Sequence, residues 1–329
     1  MFLGARFRLR FGKRTQRAVG IEDALIKDIS EFKEGRVGFV TILGRPNVGK
    51  STFINKVLRY HLTAVSIRPN TTRKKWFGIL SDEESQIIFA DTPGVHSSKN
   101  KMQLAMAGSI RSNIEKNDIV LCICDASREF GNEDGRVAEI VKEAGKPVVL
   151  AVNKIDVATP EQIAIMTETY LSVIGDATVF GISSKEGTGV TELIDRLRSM
   201  LPEGPFLFPE DQLTDVIERD IAEEIIREAA NELVYQEVPQ SLTVKIDTWN
   251  ENEKKVKIAA TLFVERNPQK AIVIGENGAM AKQIMKNARA KLRVDLDKFV
   301  DVKLSVKVAP DWQNKKAFLK EKGVIDVVN

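Results

Sequence analysis

Cysteine is nearly absent from this chain: two residues in 329, Cys122 and Cys124. Both lie in the apolar run Ile119-Val-Leu-Cys-Ile-Cys124, which reads as a buried strand. Two residues apart on a strand, the thiols share a face, but an extended backbone holds their Cα atoms roughly 6.5 Å apart, at the far edge of disulfide geometry. A disulfide scaffold and a metal cluster are therefore not expected, and free thiols fit a reducing, cytoplasmic setting. Long hydrophobic runs are missing as well. No stretch approaches the roughly 20 apolar residues that span a bilayer. Charge of one sign is also scarce, with 49 Lys and Arg against 46 Asp and Glu and a net charge of +3. A field over the whole molecule cannot attract a polyanion, so any nucleic-acid contact must rest on a local basic patch. No internal repeat is evident.

What is present is ordinary globular composition, 43% hydrophobic and 29% charged, which argues against both disorder and a membrane protein. At roughly 150 residues per domain the length suggests about two domains. Residues 1–17 stand apart: Arg6, Arg8, Arg10, Lys13, Arg14 and Arg17 occur with no acid and no apolar core of a secretory signal. An organelle transit peptide, a basic arm for RNA or anionic lipid, and a disordered tail all fit this stretch.

From about 36 to 200, short Val- and Ile-rich runs alternate with helical stretches. Strands are expected at 37–43, 75–80, 86–90, 119–125, 148–152 and 178–182, and helices near 51–58, 99–116, 133–144, 160–173 and 189–200. This rhythm predicts an α/β domain, a mostly parallel sheet with helices on both faces, whose ligand sits at the carboxyl ends of the strands. Residues 202–212 contain three prolines and read as a linker. After them the pattern becomes α+β: a helix over about 215–235 with Ile217, Ile221, Ile225 and Ala229 on one face and Thr214 as N-cap, strands at 241–248 and 256–265, a further helix after Gly278, and a final strand at 300–308. The expected division is a basic extension over 1–35, a first domain over 36–202, a linker over 203–214 and a second domain over 215–329.

Four elements in order carry the chemistry of the first domain. Gly44-Arg-Pro-Asn-Val-Gly49-Lys50-Ser51 fits G-x-x-x-x-G-K-[ST] between a strand and a helix. Its glycines, with Asn47, Val48 and Thr52, let backbone N–H groups cradle phosphate at a helix N-terminus. Lys50 reaches the β and γ phosphates and Ser51 offers a hydroxyl to Mg²⁺. Asp91-Thr-Pro-Gly94 ends the third strand; Asp91 suits the Mg²⁺ shell and Gly94 lets a backbone N–H approach the γ-phosphate. Between them, Pro69-Asn-Thr71-Thr72-Arg73 occupies the place of a first switch, with Thr72, or else Thr71, closing on Mg²⁺. Asn153-Lys154-Ile-Asp156 resembles the guanine-recognition element of GTPases: Asp156 would accept two guanine hydrogen bonds that adenine cannot offer, Asn153 would support the base edge, and the Lys154 stem would pack on the ring. Ser183-Ser184-Lys185 follows in the place of a base-contacting turn. The order predicts GTP, with Lys50, Thr72 and Gly94 as catalytic positions. It argues against the rival reading, a P-loop kinase using ATP.

From about residue 35 onward the chain resembles the Era family of bacterial GTPases, through Thr71-Thr72-Arg73, Asp91-Thr-Pro-Gly-Val-His96, Asn153-Lys-Ile-Asp156, Phe208-Pro-Glu-Asp-Gln-Leu-Thr-Asp215 and Val306-Lys-Val-Ala-Pro-Asp-Trp312. The resemblance implies a G domain followed by a type II KH domain, a GTP hydrolase with GTP/GDP and Mg²⁺ as ligands, and binding to the 3′ end of 16S rRNA during assembly and maturation of the small (30S) ribosomal subunit. Val95 stands where small GTPases place a catalytic glutamine, so slow intrinsic hydrolysis is expected. Some relatives with an asparagine at the place of Asn47 use K⁺ as an added positive charge. In the KH reading, Gly275-Glu-Asn-Gly278 is the loop that approaches an RNA backbone. Lys282, Lys286, Arg289 and Arg293, spaced 4, 3 and 4, form a basic stripe beside it. Glu276 departs from the basic residue usual in that loop. A monomer is expected. Two other functions remain open, an RNA chaperone whose nucleotide only stabilises the fold and a cell-cycle GTPase held peripherally on the inner face of the cell membrane by residues 1–17.

Overall fold

The computed structural model describes residues 33–60, 76–91, 117–214 and 218–321. The first sheet contains β1 (Glu34–Leu43), β2 (Trp76–Ser81), β3 (Ser85–Asp91), β4 (Ile119–Asp125), β5 (Val148–Asn153), β6 (Thr178–Ile182) and the short β7 (Glu203–Pro205). Its strand order is β2-β3-β1-β4-β5-β6, with β7 paired to β1. The ladders β3–β1, β1–β4, β4–β5 and β5–β6 are parallel, so their carboxyl ends share one edge. Every residue of β4 is buried, as a strand covered on both faces requires. The covering helices are α1 (Lys50–Leu58), α2 (Asn132–Glu143), α3 (Pro160–Ile174) and α4 (Val190–Met200). Phe53 of α1 and Leu193 and Leu197 of α4 pack with Ile42, Leu121 and Ile123 on one side of the sheet. Val137 of α2 and Tyr170 of α3 pack with Cys122 and Leu150 on the other.

The three-proline stretch is not a free tether. β7 pairs antiparallel with Glu34–Arg36 at the start of β1, where β4, beginning opposite Val40, offers no partner. Phe206 and Phe208 are then buried with Val37, Ile79 and Ile88. The wholly buried Gln86 clamps them: its Oε1 accepts from Leu207 N (2.8 Å) and Phe208 N (3.0 Å), and its Nε2 donates to Phe208 O (2.8 Å). Burying one such phenylalanine stabilises by roughly 1.5–3 kcal/mol, which outweighs the poor intrinsic order of a proline-rich segment. Thr214, read as an N-cap, bridges Gly78.

The second sheet has the order β10-β9-β8, formed by β8 (Thr243–Glu251), β9 (Lys255–Val264) and β10 (Phe299–Val308). β8 and β9 are antiparallel with a register shift between Ile246 and Thr248, and β9 and β10 are parallel. The parallel step uses a crossover of α7 (Asn267–Ile274) and α8 (Ala279–Leu296), which follow α5 (Glu218–Asn231) and the short α6 (Val238–Ser241). Ile221, Ile225 and Ala229 of α5 and Ile284, Ala288 and Leu292 of α8 form the core with Val256, Ile258 and Val302. The α5 residues belong to the apolar face expected from spacing, whose first member, Ile217, lies outside the described residues. Besides β7 and α6, the sequence reading missed α7, whose Ile272-Val273-Ile274 looks like strand but starts with proline at its first turn and buries Val273, and α9 (Lys316–Glu321), which brings Leu319 against the buried Trp312. The expected helix at 99–116 and residues 1–17 lie outside the described residues.

Candidate functional site

The strand-end edge of the first sheet collects the predicted nucleotide residues. Between β1 and α1 the chain turns through Asn47 (φ 66°) and Gly49 (φ 105°), left-handed positions of the kind that build anion-binding concavities from successive backbone N–H groups. Close approach makes two glycines necessary. A Cβ on Gly44 would lie 2.4 Å from Ile123 O, and one on Gly49 would lie 2.2 Å from Asn153 Nδ2. Val48 is fully buried, and Lys50, 7% exposed, donates from Nζ to Gly44 O (2.8 Å) and Arg45 O (2.9 Å). Ser51 and Thr52 are half-buried in the first turn of α1. Asp91 ends β3 opposite Ile42, beside this loop. Thr71, Thr72, Gly94 and Val95 lie outside the described residues.

Asn153 joins two loops of the site. Its amide is 1% exposed; Nδ2 donates to Val48 O (2.6 Å) and Oδ1 accepts from Ser184 N (2.9 Å). Both ends are engaged by protein, so Asn153 pins the phosphate loop to the Ser183–Lys185 turn. Ser183 holds that turn, its Oγ accepting from Glu186 N (3.1 Å) and its carbonyl from Gly187 N (2.7 Å). Asp156 and Lys185 are exposed, and Lys154 adopts φ 66°.

The sequence reading missed Asp125. It ends β4, is 1% exposed, and accepts from Lys154 Nζ at 2.6 Å and from Ser127 Oγ at 2.6 Å. Burial pushes its carboxyl pKa up, but hydrogen bonds from Lys154 and Ser127 and the Lys154 charge together hold it below the ordinary value. Asp125 thus fixes the lysine whose stem was expected to cover the base. The signal available was its place, one residue after Cys124 and at the same strand-end level as Asn153. The nearby thiols are inert: both cysteines are free and buried, and burial pushes Cys122 up to about 12.

In the second region, α7 ends at Gly275 (φ 72°), a single 3₁₀ turn spans Glu276–Gly278 with Asn277 at φ 50°, and Gly278 (φ 77°) opens α8. A Cβ on Gly275 would lie 2.8 Å from Met280 N, whereas one on Gly278 would meet no described atom within 4 Å. The loop therefore presents an open surface at a helix N-terminus. The basic stripe divides. Lys282 and Lys286 are not buried and face outward from α8; Arg289 instead donates to Val302 O (2.6 Å) and pairs with Asp301 (3.4 Å), fastening α8 to β10. Arg293 stacks over the Phe299 ring at 4.6 Å.

The profile of the 50S ribosome-binding GTPase family matches residues 39–154, and that of the KH domain matches 237–313. A crystal structure of a point variant of Aquifex aeolicus Era bound to GDP·AlF4⁻ is similar to 88% of this chain and 100% of its own, with 33% identity and a TM-score of 0.83. The chain belongs to the Era family of GTPases. A second Era structure, in complex with MgGDPNP and nucleotides 1506–1542 of 16S ribosomal RNA, matches 89% of this chain and 100% of its own with 33% identity and a TM-score of 0.84. As an Era-family GTPase the chain hydrolyses GTP, and the expected fold, a P-loop G domain with a mostly parallel sheet followed by a KH domain, is the one observed. Among the described residues no helix is long and apolar enough to cross a membrane.

Proposed function

We propose that this Era-family protein is a GTP-driven RNA switch that binds the 3′ end of 16S rRNA and assists assembly and maturation of the small ribosomal subunit. The observation that carries it is that both halves of the chain together, not the G domain alone, match an Era structure holding a GTP analogue and 16S rRNA. In this reading the chain divides at 36–202, 203–214 and 215–329. The left-handed turns at Asn47 and Gly49, the buried Lys50 and the two glycines with no room for a Cβ fit a phosphate chain. Asp156 reads guanine, and Lys154, steered by Asp125, covers the ring.

The hydroxyls of Ser51 and Thr72 and the carboxylate of Asp91 are hard oxygen donors that fit Mg²⁺. When bound, Mg²⁺ would neutralise charge on the β and γ oxygens. Thr72 and Gly94 close on the γ-phosphate and retract after hydrolysis. Gly275, Gly278, Lys282 and Lys286 engage the RNA backbone, and Arg289 holds α8 in place for them. Asn47 would help to hold a K⁺, which would supply a positive charge where Val95 stands in place of the catalytic glutamine. Exchanging K⁺ for Na⁺ is expected to lower the rate, and an unchanged rate would sink that point alone.

The deciding experiment measures GTP hydrolysis with and without an oligonucleotide of the 16S rRNA 3′ end. Because coupling is reciprocal, RNA is expected to raise the rate and to shift GTP affinity. If saturating RNA changes neither, the switch is wrong. If Lys50→Ala still supports subunit assembly, the nucleotide only stabilises the fold.

A further inference from the structure

The side chain of Arg45, the residue after the first glycine of the phosphate loop, reaches α2. Its Nη1 lies 3.4 Å from Asp134 Oδ2 on α2, an aspartate with no exposed surface. Asp134 is held on every side. Its Oδ1 accepts from the hydroxyl of Tyr170 on α3 (2.9 Å), and its Oδ2 also accepts from Gly131 N (3.1 Å). Tyr170 is itself fully buried and packs edge-on against Phe130, with ring centroids 5.2 Å apart. Among the described residues Arg45 Nε and Nη2 are buried without a hydrogen-bond partner. Asp134 is then the group that offsets the cost of burying this guanidinium.

The front of Arg45 faces the chemistry. Its carbonyl accepts from Lys50 Nζ at 2.9 Å. One residue therefore joins the phosphate-contacting lysine to a post built from two helices that carry none of the recognised motifs. We propose that Asp134, with Tyr170, is a positioning residue of the phosphate loop, acting through Arg45 to set the place of Lys50. The proposal rests on the nucleotide-site reading. A neutral residue at 134 would leave Arg45 without its counter-charge, the first turn of the loop would shift, and small displacements of positioned groups are costly.

The test measures binding of fluorescent GDP and GTP, competition by ATP, and thermal melting, on the full chain. GTP binding by the parent is measured first, so that failure of the nucleotide site itself shows there. Asp134→Asn is expected to weaken GDP and GTP roughly 10- to 100-fold, with the preference for GTP over ATP as in the parent because Asp156 is untouched. The double variant Arg45→Met with Asp134→Leu separates positioning from stability, since an apolar pair often replaces a buried ion pair without loss of stability. It is expected to fold but to melt below the parent, because the Tyr170 hydroxyl and Gly131 N lose their acceptor, and to bind nucleotide weakly. Native affinity in that double variant would mean the network only stabilises the fold and would overturn the proposal. Should it fail to fold, Tyr170→Phe serves: it keeps the ring packed and is expected to weaken GDP about threefold through the lost hydrogen bond. Parent affinity in both Asp134→Asn and Tyr170→Phe also overturns it.

Discussion

Two glycine loops open two helices in this molecule, and the glycine that caps each helix answers a different demand. At Gly49 the missing Cβ is demanded by the protein, because Asn153 Nδ2 would lie 2.2 Å away. At Gly278 the same absence leaves open space. The basic residues differ in the same way: Lys50 is 7% exposed and hydrogen-bonded to its own loop, whereas Lys282 and Lys286 are open to solvent. A small ligand of fixed shape, such as a triphosphate, is served by a cradle assembled before it arrives. A flexible polymer is served by an accessible surface to which it adapts. A glycine-rich motif therefore has to be judged by what surrounds each glycine, not by spacing alone.

The contrast breaks most visibly at Gly49. Gly49→Ala combines a left-handed backbone with the Asn153 clash and is expected to cost roughly 2–4 kcal/mol of stability and to abolish GDP binding. Chemical denaturation and a nucleotide titration check both. Asp125→Asn comes next. It loosens Lys154 and is expected to reduce GTP affinity about tenfold, read by competition titration.

The acid side of the stability profile should change in the same variant. The folded pKa of Asp125 lies below its unfolded value, so its contribution is fully present above about pH 4 and is lost as pH falls through the folded value. Denaturant midpoints between about pH 7 and pH 3 are expected to fall more steeply for the parent than for Asp125→Asn. Equal slopes would remove Asp125 from this role.

Gly278→Ala should be milder. Its Cβ has room, so only the left-handed backbone is strained, at about 1 kcal/mol. RNA binding is expected to weaken while RNA-free GTP hydrolysis stays at the parent rate. A loss of hydrolysis would show that the second loop is not independent of the first. The smallest effect is expected for Glu276→Lys, which adds a cation at an exposed position beside the helix N-terminus. It should tighten RNA binding and steepen the salt dependence by about one counterion, measured by titration at several salt concentrations.

Much of this architecture is legible in the amino-acid pattern. The strand expected at 119–125 coincides with β4, because a run buried on both faces leaves a continuous apolar signature, and the one expected at 178–182 coincides with β6, an end strand of which only Ile182 is buried. The phosphate loop is legible because glycine, lysine and serine at fixed spacing answer one local demand. α7 is not, because three β-branched residues in a row look like strand and outweigh the local mark of a helix start, the proline at its first turn. The docking of Phe206 and Phe208 is hidden by the surrounding prolines, since their partners Ile79, Gln86 and Ile88 lie more than a hundred residues earlier. Arg289 shares the spacing of its basic neighbours, and its attachment to β10 depends on a strand that follows it.

Residues close together along the chain were enough to define the periodic elements, the motifs of the nucleotide site and the family resemblance, because each of these answers a local demand. The roles of Asn153 as a pin between loops, of Asp125 in steering Lys154, and of Asp134 and Tyr170 behind Arg45 emerged only from the folded molecule. Each of those contacts joins residues from separate strands and helices, and a hydrogen bond of less than 3 Å between them exists only after the sheet has aligned their ends.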